Sequence, residues 1–255
     1  MKTNDLKKLA LLESLKGGLI VSCQTQKDEP IYTEDMVVKM AECAKWGGAV
    51  GLRLNSPEQI CRVKEANLGL PIIGLYKVWH EDTDVFITPT MKEVDEIVAA
   101  GADIIAIDCT AQKTHEGTIA WDLLPQVRKK YPAHLIFADV SNIEEAKHAS
   151  ANGAEIVAPT LYGYTQETAH IEGADFRMVA EMCRELQEEA CVMMEGHIYS
   201  PEDAMKCIFI GCHSVVVGSA ITRPHYVTKR FVDCLGKYQN NWRDAERAKH
   251  TNELK

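Results

Sequence analysis

The chain has 255 residues, and its 28 Lys and Arg against 37 Asp and Glu give a formal net charge of −9. Apolar residues make up 46% of the sequence and charged residues 25%, which is ordinary globular usage and argues against a disordered or fibrous chain. Because binding to nucleic acids and to anionic lipids depends on Lys and Arg, the acidic balance also argues against both of these partners.

The nine cysteines predict neither a disulfide framework nor a zinc site, since their number is odd and no Cys-x-x-Cys pair occurs. No stretch approaches the roughly 18 apolar residues of a membrane span. The segment from Met1 to Gly17 lacks the apolar core of a signal peptide. We therefore expect a reduced, soluble, cytoplasmic protein that binds no metal.

Eight short apolar runs predict strands that are covered on both faces. Helical stretches separate them, which is typical of βαβ units and a parallel sheet. In chain order the predicted strands are Gly18–Ser22, Ala49–Arg53, Ile72–Tyr76, Ile104–Asp108, Leu135–Asp139, Ile156–Pro159, Cys191–Glu195 and Val215–Gly218.

A weak internal repeat connects these strands. A Ser or Thr cap precedes an acidic first turn at four helix starts, and a glycine suited to a left-handed helix end follows three of the helices. The predicted caps are Ser56, Thr90, Ser141 and Ser200, and the predicted helix ends are Gly101, Gly153 and Gly211. Eight such units in about 250 residues predict an α/β fold, a single (β/α)8 TIM barrel. The alternative, an open doubly wound sheet, is less favoured because no G-x-G-x-x-G follows any strand.

The two ends of the chain differ from this repeat. Four leucines at helical spacing predict an N-terminal capping helix, in residues 1–17, on the floor of the barrel. They are Leu6, Leu9, Leu12 and Leu15. The barrel itself is predicted to span residues 18–236, and a polar tail, frayed or forming a surface helix, to span residues 237–255.

Polar residues follow almost every predicted strand. Because the active site of this fold lies at the carboxyl ends of the strands, these residues are expected to meet at one rim. They are Gln24, Arg53, Lys77, Asp108, Asp139, Thr160, Glu195 and the pair Gly218-Ser219. A purely structural barrel has no need of this convergence, so the pattern predicts an active site.

Lys77 and Glu195 are four strands apart in a ring of eight, so we expect them to face each other across the barrel mouth. Burial lowers the pKa of a lysine and raises that of a glutamate, which suits both groups to acid–base catalysis near neutral pH. A simple Lys–Glu salt bridge and a Schiff base on the lysine are the alternatives that the residues leave open.

The loops after the last two predicted strands have the features of a phosphate site. Gly196 and His197 follow one strand, Gly218 and Ser219 follow the next, and Arg223 stands four residues further on. Barrels of this kind often bind phosphate between these two loops, where glycines let backbone N–H groups approach the oxygens. Arg223 adds a charged donor for the same anion.

Several motifs in these positions resemble the bacterial N-acetylmannosamine-6-phosphate 2-epimerases. The resemblance covers the chain from about Gly17 to Leu235, in order and without large gaps, and the VVVG-x-AITRP run is its most specific part. The matching segments are Gly17–Gln24, Gly47–Arg53, Pro71–Lys77, Val85–Thr90, Glu93–Glu96, Ala102–Thr110, Leu161–Thr165, Glu195-Gly196 and Val215–Phe231.

The resemblance implies interconversion of N-acetylmannosamine 6-phosphate and N-acetylglucosamine 6-phosphate, a step of sialic acid breakdown, without a metal or other cofactor. By the same resemblance, Lys77 and Glu195 match the catalytic pair and Arg223 the phosphate-binding arginine. The residues that match substrate-contacting positions are Gln24, Arg53 and Asp108, and the rim position of Asp139 adds it to this group.

The chain also departs from the family pattern, with His197 where relatives have Arg or Asn, Ser219 where many have Gly, and no Arg-Pro character in Ala111–Gly117. Another phosphosugar isomerase or lyase on the same barrel and a non-catalytic sugar-phosphate sensor are the alternative functions. The expected partner is a small phosphorylated amino sugar, and a homodimer is possible.

Overall fold

The computed structural model describes residues 5–25, 28–171 and 173–237. Eight parallel strands form a closed barrel in chain order, in which the last strand pairs with the first. The strands are β1 (Leu19–Cys23), β2 (Gly51–Asn55), β3 (Ile72–Leu75), β4 (Ile104–Asp108), β5 (Leu135–Asp139), β6 (Ile156–Ala158), β7 (Cys191–Glu195) and β8 (Ser214–Val217). The predicted (β/α)8 barrel is confirmed.

Helices surround the strands and precede the first of them. They are α1 (Leu6–Leu15), α2 (Met36–Trp46), α3 (Pro57–Glu65), α4 (Met91–Ala99), α5 (Leu123–Lys130), α6 (Ile143–Ala151), α7 (Phe176–Leu186), α8 (Pro201–Phe209) and the short α9 (Ser219–Thr222). Residues 224–237 are also helical, and we call them the C-terminal helical segment. None of the helices in the described part of the chain is long and apolar enough to cross a membrane.

Each predicted strand overlaps an observed one, and the largest displacement is at β2. This strand begins two residues later than predicted, at Gly51, and continues to Asn55. Ala49 belongs instead to the turn after α2, where its N–H donates to the carbonyl of Ala44 at 2.9 Å. The shift extends β2 at its carboxyl end, so that Asn55 reaches the rim of the barrel.

Three of the four predicted helix caps are confirmed, namely Ser56, Thr90 and Ser200. The prediction for α6 is wrong by one residue, because Asn142 is the cap and its side chain accepts from the N–H of Glu145 at 2.9 Å. Ser141 instead donates its hydroxyl to the Glu145 carboxylate at 2.8 Å. An amide oxygen caps as well as a hydroxyl, so the pattern alone did not separate the two neighbours.

Helix α1 lies against the amino ends of the strands. Leu12 and Leu15 are buried in the barrel-interior cluster, together with Ile20 of β1. Lys8 is also buried, and its ammonium pairs with Glu155 at 2.7 Å. Leu6, in contrast, is 81% exposed, so only the carboxyl half of the predicted leucine stripe contributes to the floor. Apart from Lys237, the tail predicted for residues 237–255 lies outside the described residues.

The core has two layers, one between strands and helices and one inside the barrel. Gly74 in β3 lies where this strand packs tightly against the helix layer. A Cβ at this position would be 2.6 Å from the Cβ of Ala102 and 2.9 Å from Cδ1 of Ile60. Close backbone packing behind β3 therefore supports the strand that ends just before Lys77.

We expect Gly74→Ala to lower the free energy of unfolding by about 1–3 kcal/mol, because the added methyl overpacks a site that has no room for it. Urea denaturation followed by circular dichroism measures the change. Gly236→Ala is the control, since no atom of residues 5–25, 28–171 or 173–237 lies within 4 Å of the corresponding Cβ. Equal stability of Gly74→Ala and the parent chain would contradict the packing argument.

Candidate active site

A cavity of about 280 Å³ opens at the carboxyl ends of the strands. All the predicted site residues except Asp108 and Asp139 line it. They are Gln24, Arg53, Lys77, Glu195, Gly196, His197, Gly218, Ser219 and Arg223. Most of the residues that were predicted to meet at the barrel rim therefore line one cavity.

Arg53 organises the charged floor of this cavity. Its side chain is 2% exposed, and it donates two hydrogen bonds to the carboxylate of Asp139, at 2.8 and 2.7 Å. Its other terminal nitrogen, Nη1, pairs with Oε1 of Glu195. A planar guanidinium has donors for both acceptors at once, so Asp139 reaches the site through Arg53 without lining the cavity.

Lys77 lies two residues after the end of β3, and its backbone N–H donates to the side-chain oxygen of Asn55 at 2.8 Å. Its ammonium lies 5.9 Å from the centre of the Phe86 ring and has no ion-pair partner among the described residues. Burial, followed by the nearby positive charge of Arg53, lowers the pKa of Lys77 to about 8. A substantial fraction of the amine is therefore neutral near physiological pH.

Glu195 stands at the end of β7, on the same cavity as Lys77. Burial raises its pKa to about 7, against the opposing effect of Arg53. Its Oε2 atom is buried and has no hydrogen-bond partner in the part of the chain that the structure describes. The alternative of a simple Lys77–Glu195 salt bridge is not found, because within the described chain the ion pair of Glu195 is with Arg53.

Gln24 lies beside the glycine loop after β8. Its side-chain N–H donates to the hydroxyl of Ser22 at 2.9 Å. A Cβ at Gly218 would be 3.3 Å from the Cβ of Ser22, so this glycine allows the loop to approach β1 closely. Thr222 ties the two segments together by donating its hydroxyl to the carbonyl of Ser22 at 3.1 Å.

Asp108 is not brought to the cavity with the other predicted residues. Its carboxylate Oδ1 turns to Thr110 and accepts from the backbone N–H at 2.9 Å and from the hydroxyl at 2.7 Å. Burial raises its pKa to about 7, although the hydrogen bonds from Thr110 oppose the increase. In the β4–β5 ladder it stands opposite Asp139, which does not line the cavity either.

Gly196, His197 and Arg223 line the end of the cavity for which the sequence predicted a phosphate site, and we call it the anion end. The backbone of His197 is left-handed, with φ of +57°, and its Nε2 lies 3.0 Å from the carbonyl oxygen of Tyr162. Nε2 must carry the proton in this contact, so a neutral ring has no second N–H for an anion. The donor that neutral His197 can offer is therefore its backbone N–H.

Sequence reasoning did not assign a role to several aromatic side chains that line the same cavity. They are Phe86, Tyr164 and Tyr199. Tyr164 stacks on His197 with ring centres 5.5 Å apart, and Arg230 lies 4.2 Å from the centre of the Tyr199 ring. These residues lie in loops without periodicity, and Phe86 and Tyr164 appeared only as parts of longer motifs. The described residues contain no cluster of three or more His, Cys, Asp or Glu suited to a metal ion.

Comparison with known proteins gives consistent results. The family described as "Putative N-acetylmannosamine-6-phosphate epimerase" matches residues 37–237. A protein of Listeria monocytogenes named "Putative N-acetylmannosamine-6-phosphate 2-epimerase" is 42% identical over 90% of this chain and 97% of its own length. A protein of the same name from Caldanaerobacter subterraneus is 40% identical over 87% of this chain and 92% of its own.

Solved structures agree in fold. The N-acetylmannosamine-6-phosphate 2-epimerase from Clostridium perfringens superposes with a TM-score of 0.81 and 39% identity, over 88% of this chain and 96% of the other. Thiamine phosphate pyrophosphorylase from Pyrococcus furiosus, at 16% identity, a TM-score of 0.57 and coverage of 83% and 89%, shares the fold alone. With a family match over most of the barrel and relatives near 40% identity across nearly their whole length, the chain belongs to the N-acetylmannosamine-6-phosphate epimerase family.

Proposed function

We propose that this protein interconverts N-acetylmannosamine 6-phosphate and N-acetylglucosamine 6-phosphate by removing and returning the proton at C2. The observation that carries the proposal is the pairing, in one cavity, of a lysine with a pKa of about 8 and a glutamate with a pKa of about 7. Two groups in one cavity that gain and lose protons near neutrality suit this chemistry.

In the open-chain sugar, the aldehyde at C1 acidifies the proton at C2. The neutral Lys77 amine takes that proton, and the electron pair left at C2 moves into the C1 carbonyl to give an enolate. Buried cationic donors such as Arg53 stabilise the developing oxyanion. Return of a proton to the opposite face of C2 gives the other epimer.

Glu195 is proposed as the second acid–base group. Its unpartnered Oε2 is an acceptor for a substrate hydroxyl, and its raised pKa lets it donate a proton as well. Either Glu195 protonates C2 directly, or a substrate hydroxyl held by Glu195 relays the proton. Both routes exchange the C2 hydrogen with groups that equilibrate with water, which makes the reaction visible in deuterium oxide.

We propose that the phosphate lies at the opposite end of the cavity, on Arg223 and the backbone N–H groups of Gly196, His197 and Ser219. Gly196 has φ of +95° and Gly218 packs tightly on Ser22, so both loops present backbone rather than side chains to this end.

Gln24 is proposed to contact the sugar, whereas Asp139 acts through Arg53. The buried Asp108 is proposed to support the loop after β4 through Thr110.

The first test is incubation of the protein with each 6-phosphate epimer in deuterium oxide, followed by proton NMR. We expect the other epimer to appear with deuterium at C2.

Lys77→Ala and Glu195→Gln should each lower kcat by about 10²–10⁴-fold, as for loss of an acid–base group. Lys113→Ala, which removes an exposed lysine of a neighbouring loop, is the matched control. Near-normal turnover of Lys77→Ala would remove the lysine from the reaction, and binding without exchange in the parent protein would favour a sensor.

The second test is the pH dependence of kcat/KM. Because the neutral amine of Lys77 is the base, the rate should rise with pH as the amine loses its proton, and it should level off above about 8, its lowered pKa, where a substrate hydroxyl relays the returning proton. Direct protonation of C2 by Glu195 would add a fall in the rate above about 7, the raised pKa of that carboxyl. The negative charge of Glu195 raises the pKa of Lys77. In Glu195→Gln this charge is absent, so the rising limb of the residual activity should move to lower pH. A limb that stays in place or moves upward would contradict the assignment.

A homodimer is also proposed, from the apolar surface of the C-terminal helical segment. Phe231 is 68% exposed and Leu235 61% exposed, which leaves apolar area that a second copy would cover. Sedimentation velocity should show a dimer that Phe231→Glu with Leu235→Glu converts to a monomer. Lys229→Ala on the same helix should remain dimeric, and a monomeric parent protein would contradict the proposal.

A further inference from the structure

A buried carboxylate from the loop between β1 and α2 reaches the anion end of the cavity. Glu29 pairs through Oε1 with Nη2 of Arg223 at 3.0 Å. Its side chain is 9% exposed, whereas that of Arg223 is 18% exposed. An acidic residue beside the proposed phosphate site is unexpected, since its charge has the same sign as the substrate.

The contact leaves most of the guanidinium free for a ligand. Arginine has five N–H donors in a rigid fork, and Glu29 takes one terminal nitrogen. Among the described residues Glu29 is the one acidic group in ion-pair distance of Arg223. Tyr226 flanks the guanidinium carbon at 5.6 Å from its ring centre. The arginine is thus held on two sides while it lines the cavity.

Glu29 depends on Arg223 in turn. Its second oxygen, Oε2, is buried and has no hydrogen-bond partner among the described residues. Within that part of the chain, the ion pair with Arg223 is the interaction that offsets the cost of burying this carboxylate. Glu29 itself does not line the cavity. These facts place the carboxylate behind the arginine, where it restricts the arginine without occupying the phosphate position.

Immobilising a long side chain before the ligand arrives removes a cost of binding. An arginine that samples several rotamers loses conformational entropy when the phosphate orders it. An arginine that a carboxylate already holds in one rotamer loses less on binding. Glu29 also offsets the positive charge of Arg223 in the free protein, where Lys77 and Arg53 already supply two further cations to the same cavity.

We propose that Glu29 is a positioning residue for phosphate recognition, which orients the Arg223 guanidinium toward the 6-phosphate of the substrate. The inference rests on the proposed function, because it takes the phosphate to lie at Arg223. Glu29 touches no reacting atom, so its effect belongs to substrate binding and not to the proton transfers at C2.

The experiment compares KM and kcat for N-acetylmannosamine 6-phosphate, and the inhibition constant of inorganic phosphate, in four variants. Glu29→Ala should raise KM and the phosphate inhibition constant about threefold to tenfold, the cost of ordering one long side chain, with kcat within about twofold. Glu29→Gln keeps an acceptor oxygen at the same reach and should restore part of the loss. Glu29→Asp is one methylene shorter and should resemble the alanine variant.

The fourth variant, Glu34→Ala, is the matched control. Glu34 lies in the same loop but is 75% exposed and pairs with Arg62 on the surface, so KM should not change. Unchanged or lowered KM in Glu29→Ala would overturn the proposal, and a lowered value would show that the carboxylate competes with phosphate. A fall in kcat alone would equally overturn it, since that pattern indicates general disruption of the site.

A double-mutant cycle shows whether Glu29 acts through Arg223. Arg223→Ala should raise KM by itself, and Glu29→Ala added to it should cause little further loss. Equal effects of Glu29→Ala in both backgrounds would overturn the proposal. Calorimetric titration with inorganic phosphate gives the same comparison without turnover. If the parent protein does not interconvert the two epimers, the proposed function is wrong. The phosphate titration does not depend on turnover, so it still tests whether Glu29 acts through Arg223.

Discussion

The site depends on one buried guanidinium, that of Arg53, which is held between two carboxylates. Both carboxylate oxygens of Asp139 accept hydrogen bonds from Nη2 of Arg53, and Oε1 of Glu195 accepts one from Nη1. Three charged side chains, one from the middle of β2 and two from the ends of β5 and β7, are thereby ordered inside a closed ring of strands. An unpaired charge at this depth would be very costly, so each group makes the burial of the others tolerable.

This arrangement explains why Lys77 has an unusual pKa. Burial has the largest effect, and Arg53 adds a nearby positive charge; together they outweigh the negative charges of Glu195 and Asp139, which favour the ammonium form. The result is an amine that loses its proton near pH 8. A direct salt bridge to Glu195 would have had the opposite effect, because an opposite charge in contact favours the charged form of a lysine.

The two ends of the cavity have different structural origins. The proposed acid–base end is built from side chains at or near strand ends, where the hydrogen-bonded register of the barrel determines their positions. The anion end is built from the backbone of two loops and from Arg223, which the loop residue Glu29 holds. Rigid strands suit proton transfer, which needs accurate placement, and glycine-containing loops suit the exposed backbone donors of an anion site.

The sequence by itself determined the barrel and most of the rim, because apolar runs, caps and glycines are local signals and strand ends in a closed parallel barrel share one face. Tertiary structure alone decided the pairing of charges. Both Lys77 and Arg53 were predicted at the rim, but which of them binds Glu195 depends on distances across the barrel. Asp108 and Asp139 both end a strand, yet one turns to Thr110 and the other to Arg53. Glu29 lies in an aperiodic loop, and its approach to Arg223, far along the chain, results from the closure of β8 against β1.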